Sequence, residues 1–210
     1  PPTQASARAT SMTAKRARVN AIDIILDEHR SLAAVLHGLL YLTRAIDSGK
    51  MAPDFKVFGA MVYYIDAFPE RFHHPKEDEY LFKLLRLRDP EAAPLLDRLN
   101  AEHHAGEIRI RELEHALRRY EHGGADGFSG FAAAVESYAA FHWQHMRAEE
   151  EEVLPLARKY LTPDDWKQID EAFAGNTDPL LGAKASNEYD ALFRRIVHLA
   201  PPPIGVGPEN

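Results

Sequence analysis

A chain of 210 residues that is 45% hydrophobic and 27% charged suits one globular domain with a sizeable core, and this balance excludes a wholly disordered chain. Its formal net charge of −7 argues against a general affinity for nucleic acid or anionic membrane. The absence of cysteine removes disulfides, thiolate metal sites, iron–sulfur clusters and a cysteine nucleophile. It fits a reducing, cytoplasmic setting and leaves any transition-metal chemistry to the eleven histidines.

Residues 1–20 (PPTQASARATSMTAKRARVN) lack the apolar core of a secretory signal and read as a disordered basic leader. Residues 21–48 carry Ile22, Ile25, Leu26, Leu32, Leu36 and Leu40 at helical spacing and close at the turn SGKMAPD. A second apolar-periodic segment covers 54–88, is interrupted by Pro75 and ends at RDP. A third helix is expected over 91–122, stopping at HGGADG, and a fourth over 127–160. No apolar run approaches the roughly 18 residues of a membrane-spanning helix. Four amphipathic helices with short connections bury their stripes most simply as an all-α, up-down-up-down four-helix bundle over 21–160. Residues 161–210 then form a C-terminal extension. TPDDW starts one short helix near 163–175, with Thr162 as cap and Pro163 in the first turn, another falls near 186–199, and APPPIGVGPEN is an extended tail.

The stretch FHWQHMRAEEEEVLP, 141–155, packs two histidines and four glutamates into an apolar-striped helix. Each residue of an α-helix advances about 100°, so every polar position can be placed against its helix's apolar face. In the first helix His29 lies at the centre of the stripe. In the second, Glu77 faces inward with His73 four residues before it, whereas Asp78 lies about 100° away. In the third, His103 is close to the stripe, Glu107 sits at its edge and His104 lies to the side. In the fourth, His142, His145 and Glu149 face inward, Glu151 points out, and Glu150 and Glu152 flank. A lone buried histidine is usually a hydrogen-bonded core residue, and a glutamate run is usually a solvated face. Inward histidines on four helices, joined by inward carboxylates on two, are different, because unpaired buried imidazoles and carboxylates cost several kcal/mol each. A shared metal supplies the counter-charge. Histidine and carboxylate without thiolate suit iron, manganese or zinc, and carboxylates from two helices favour two metals bridged by them.

In this order and spacing, ILDEHRSL, RFHHPKEDEYLF, LNAEHHAGEI and FHWQHMRAEEEEVLPLA resemble the hemerythrin-like, HHE cation-binding domain, and NTDPLLG and IVHLAPPP resemble the C-terminal extension of its bacterial members. The resemblance spans roughly residues 20–205. It implies a four-helix bundle around a non-haem di-iron centre, two iron ions joined by an oxo or hydroxo bridge. Carried over position by position, it implies His29, His73 and Glu77, His103, and His145 with Glu149 as metal ligands, the six that periodicity turns inward. Where oxygen-carrying hemerythrins have a second helix-three histidine this chain has Glu107, which implies a harder, more oxygen-rich site and counts against reversible oxygen carriage. Pro75, between His73 and Glu77, disfavours a helical His74, and a kink there lets His74 replace His73. His142 reads as an outer partner or a core residue.

The resemblance further implies a protein that meets a small diatomic ligand or peroxide (oxygen, hydrogen peroxide or nitric oxide) in sensing, storage or detoxification. An iron-cluster repair protein of nitrosative stress is the alternative, and a metal-free helical scaffold is a third reading that inward Glu77 and Glu149 make costly. No catalysed reaction is assigned, neither nucleic acid nor membrane is an expected partner, and an oligomer is left open.

Overall fold

The computed structural model describes residues 20–175. Helix α1 is Ala21–Asp47, started by the Asn20 side chain, which accepts the Asp23 N–H. Helix α2 occupies 55–88, with the Asp54 carboxylate accepting the N–H groups of Lys56 and Val57 at its start. Helix α3, Ala93–Gly123, follows a single 3-10 turn at Pro90–Ala92. Helix α4 fills 125–160 and α5 is Pro163–Phe173. Gly124, at φ 60° and ψ −140°, makes the reversal between α3 and α4 in a backbone region that only glycine enters freely, so α4 begins two residues earlier than expected. The described residues contain no strand. Of the leader expected over 1–20 only Asn20, the cap of α1, is described; the rest of it, the helix near 186–199 and the tail lie outside the described residues.

α2 and α4 are not uniform. In α2, wide π turns at Asp66–His73 and Glu77–Phe82 flank a short α stretch, His74–Lys76. In α4 a π turn spans Glu149–Val153. π turns concentrate at functional sites because they re-aim side chains without breaking the helix. Pro75 stands in the α stretch between the two turns of α2. His74 keeps helical angles, φ −55° and ψ −44°, which corrects the expectation that Pro75 would disfavour a helical residue there.

The core is divided. One apolar cluster gathers Leu36, Phe58, Met61, Ile110, Phe131 and Val135; the other gathers Ile25, Leu85, Leu99, Val153, Ile169 and Phe173. Between them lies a belt of buried polar residues, among them His29, His73, His74, Glu77, His103, His145 and Glu149. Apolar layers above and below hold these groups dry and leave them only each other as partners. α5 closes the second cluster. Thr162 and Asp165 form a reciprocal cap at its start, Arg88 of α2 donates to both Asp165 oxygens at 2.8 and 3.0 Å, and the Ala21 N–H donates to Asp170.

Candidate metal centre

Five buried imidazoles enter the belt: His29 from α1, His73 and His74 from α2, His103 from α3 and His145 from α4. Each turns its Nδ1 outward onto a different carboxylate. Glu150 stands 2.9 Å from His29, Glu28 2.6 Å from His73, Glu70 3.2 Å from His74, Asp78 2.8 Å from His103 and Glu102 2.9 Å from His145. An ionised carboxylate only accepts, so each Nδ1 carries the proton. In the neutral ring Nε2 is then a bare lone pair. The Nε2 atoms converge, 3.2 Å apart for His29 and His73 and 3.0 Å apart for His103 and His145. Lone pairs at that separation repel unless a cation, metal or proton, lies between them.

Glu77 and Glu149, 0% and 1% exposed, have no hydrogen-bond partner for any of their four oxygens. Both divide their oxygens between two groups of histidines. Glu77 sets Oε1 3.3 Å from His73 and Oε2 3.6 Å from His103; Glu149 sets Oε2 3.3 Å from His29 and Oε1 3.4 and 3.2 Å from His103 and His145. Two buried anions without donors would each cost about 1–3 kcal/mol or more. This arrangement fits metal, since each carboxylate turns one oxygen toward either group of histidines.

Proton affinities carry the same message. Burial works against a charged imidazole, yet a hydrogen bond with Asp78 and the nearby carboxylate of Glu149 raise His103 to about 9, and the charge of Glu149 with a hydrogen bond to Glu102 raises His145 to about 10. His73 is raised well above the usual value against the same burial, by Glu77 and Glu28. Burial opposes the charge of Glu149 as well, but the charge of His145 and the close imidazoles of His103 and His29 hold its carboxyl well below the normal range. These are groups that demand cations, and metal satisfies them by displacing protons. His74 differs: burial and its neighbour His103 push it well below the ordinary imidazole value.

Ligand atoms lying within 4.8 Å of one another form two groups, His29, His73, Glu77 and Glu149 in one, and His74, His103 and His145 in the other. The structure thus brings six of the seven expected site residues together. The seventh, Glu107, is exposed and outside both groups, because the stripe's edge on α3 turns to solvent. His73 and His74 both enter the belt, His73 in the first group and His74 in the second. His142 is fully buried, with neither ring nitrogen hydrogen-bonded and with Nε2 3.5 Å from Glu70. Sequence reasoning passed over the carboxylates behind the histidines. One signal was available, since Glu70, His73, His74 and Glu77 are spaced i, i+3, i+4, i+7, a single helical face.

The family model for the hemerythrin HHE cation binding domain matches residues 20–157, about two thirds of the chain. The chain belongs to the hemerythrin HHE cation-binding family. No curated protein and no solved structure matched.

In this HHE domain the two sides of the centre differ. On the His29 and His73 side a cavity of about 10 Å³, walled by Leu32, Phe68 and Met146, has room for roughly one water-sized molecule. On the His74 and His103 side a groove of about 350 Å³ opens to solvent between α2 and α3, bordered by Asp78, Glu79, His104 and Glu107. Among the described residues, no helix is long and apolar enough to cross a membrane.

Proposed function

We propose that this HHE domain holds two iron ions as a non-haem di-iron centre, and that it consumes or senses a diatomic molecule or hydrogen peroxide. Glu77 and Glu149 carry the reading: two buried carboxylates without hydrogen-bond partners, each offering one oxygen to either group of histidines. His29 and His73 would hold one ion, and His74, His103 and His145 the other. When bound, the pair supplies reversible one- and two-electron chemistry toward oxygen species.

The chain's own contribution is electrostatic and steric. Five outer carboxylates raise the donor strength of the imidazoles and surround the centre with negative charge. Together with Glu77 and Glu149 they would favour the harder ferric state of bound iron, and so oxidation over reversible carriage. That effect, expected at first from Glu107, falls instead to Glu28, Glu70, Asp78, Glu102 and Glu150. Leu32, Phe68 and Met146 give the cavity beside His29 and His73 apolar walls, and its room for about one water-sized molecule leaves no space for a bulky organic peroxide.

The test is elemental analysis with optical spectra of protein purified from iron-rich medium without chelator. The sample is reduced anaerobically, then mixed by stopped flow with oxygen, nitric oxide or hydrogen peroxide. Two irons per chain and an adduct that decays within seconds to the ferric spectrum are expected. A folded protein without metal overturns the reading, and an oxygen adduct persisting for minutes overturns its oxidising part.

A further inference from the structure

Glu70 plays no part in the sequence pattern of ligands, yet it is buried where three helices meet. Its Oε2 lies 3.2 Å from His74 Nδ1 one turn along α2, its Oε1 accepts the hydroxyl of fully buried Tyr138 from α4 at 2.8 Å, and His142 Nε2 lies 3.5 Å from the same oxygen. The third wall is α3, at Gly106. A Cβ placed there would lie 2.9 Å from both Glu70 oxygens, closer than real contacts allow. The helix-three residue one turn after His103 is thus the smallest available, and a carboxylate from α2 fills the space.

We propose that Glu70 is the positioning residue that makes His74 the third imidazole of the second metal position, with Tyr138 and Gly106 fixing Glu70 in turn. This rests on the two-metal reading above. An imidazole has two nitrogens and a nearly two-fold side-chain torsion, so burial alone does not decide which nitrogen faces inward. A fixed acceptor behind Nδ1 decides it: the proton goes to Nδ1, the ring is held against rotation, and the Nε2 lone pair is aimed at the centre. The other four imidazoles follow the same rule with carboxylates of their own, which places His74 with them and separates it from His142, whose nitrogens have no hydrogen-bonded partner. Tyr138 occupies the second Glu70 oxygen and so keeps that carboxylate from turning onto the metal itself.

Cobalt(II) titration of the metal-free protein under nitrogen, followed by its visible d–d bands, tests the idea, with circular dichroism verifying the helices. Wild type should take up two equivalents. Glu70→Gln should bind the first as tightly as wild type and the second about 10–100-fold more weakly, the usual cost of losing an outer partner, with an altered band for the second ion only. Gly106→Ala should reproduce that split without changing any polar residue, and Tyr138→Phe should do so more mildly in a folded background. Wild-type affinities and bands in the three variants would overturn the role of Glu70 and leave the two-metal reading standing. Equal weakening of both ions would reduce Glu70 to a structural residue and overturn the proposal likewise. Only one equivalent in wild type would remove the two-metal reading itself, and this inference with it.

Discussion

The glutamate run at 149–152 offers a graded test, because four identical residues in succession have four environments. Glu149 faces His29, His103 and His145 at 3.2 to 3.4 Å from inside the belt. Glu150 holds His29 from behind at 2.9 Å. Glu151 and Glu152 make surface pairs with Arg147 at 3.0 Å and Arg98 at 3.5 Å. Loss of an outer partner typically weakens a metal site by about 10–100-fold, about 1.4–2.8 kcal/mol, which sets the expectation for Glu150→Ala. Glu149→Ala removes the carboxylate that faces both groups of histidines and should exceed about 100-fold on the same scale. Glu151→Ala should leave affinity unchanged and cost at most about 0.5 kcal/mol of stability, since exposed i,i+4 pairs contribute little. Anaerobic cobalt(II) titrations of the three variants, each paired with a thermal melt of the metal-free form, give affinity and folding separately. If Glu150→Ala bound metal as well as Glu151→Ala, the assignment of Glu150 to His29 would be wrong. If Glu151→Ala were as damaging as Glu149→Ala, the orientation of α4 would be wrong as well.

Glu107→Gln, at an exposed position on the groove, should leave metal content and the rate of oxidation unchanged; a lost metal would return Glu107 to the ligand set. Chelation should lower the melting temperature. Metal at 100 times its dissociation constant contributes about 2.7 kcal/mol per site, about 5–10 °C for a domain of this size, and equal melts with and without chelator would contradict a buried metal centre. The Arg88 hydrogen bonds, with help from Thr162, hold the Asp165 carboxyl below the usual carboxylate range. A depressed folded value gives stability that is present above the unfolded value of about 3.9 and is lost as pH falls below it. α5 should therefore loosen in acid below about pH 4, followed by Trp166 fluorescence, and Arg88→Ala should shift that transition to higher pH. Thr162→Ala, which removes the cap, should cost about 1 kcal/mol at neutral pH by chemical denaturation.

Periodicity alone placed the four long helices, since each carries a stripe wide enough to read without neighbours. It turned His29, His73, Glu77, His103, His145 and Glu149 inward for the same reason. What it misjudged depends on departures from an ideal helix or on other chains of atoms. Glu107 lies on the boundary of a stripe, where a small rotation decides between core and solvent. Pro75 suggests a kink that makes His73 and His74 alternatives, whereas α2 runs on through His74 at helical angles with π turns on either side, which no sequence period announces. Glu28, Glu102 and Asp78 were invisible because each serves a histidine on a different helix, and no single-helix pattern records that pairing. Glu70 shares a helical face with His73, His74 and Glu77, but its tie to Tyr138 and its fit against Gly106 are legible only once three helices are in place.

Phe173 gives α5 a significance beyond packing. Its ring, fully buried, meets His73 edge-on with centroids 6.3 Å apart, and it lies sixteen residues past the point where the family match ends at 157. A chain ended after Tyr160 would keep every candidate ligand and lose the lid beneath His73, together with the Arg88 and Ala21 tethers that hold it shut. Water would then reach the imidazoles from below. The stretch that sequence comparison recognises as hemerythrin is thus shorter than the piece of chain needed to keep its histidines dry, and a truncation drawn at the family boundary would separate binding metal from protecting it.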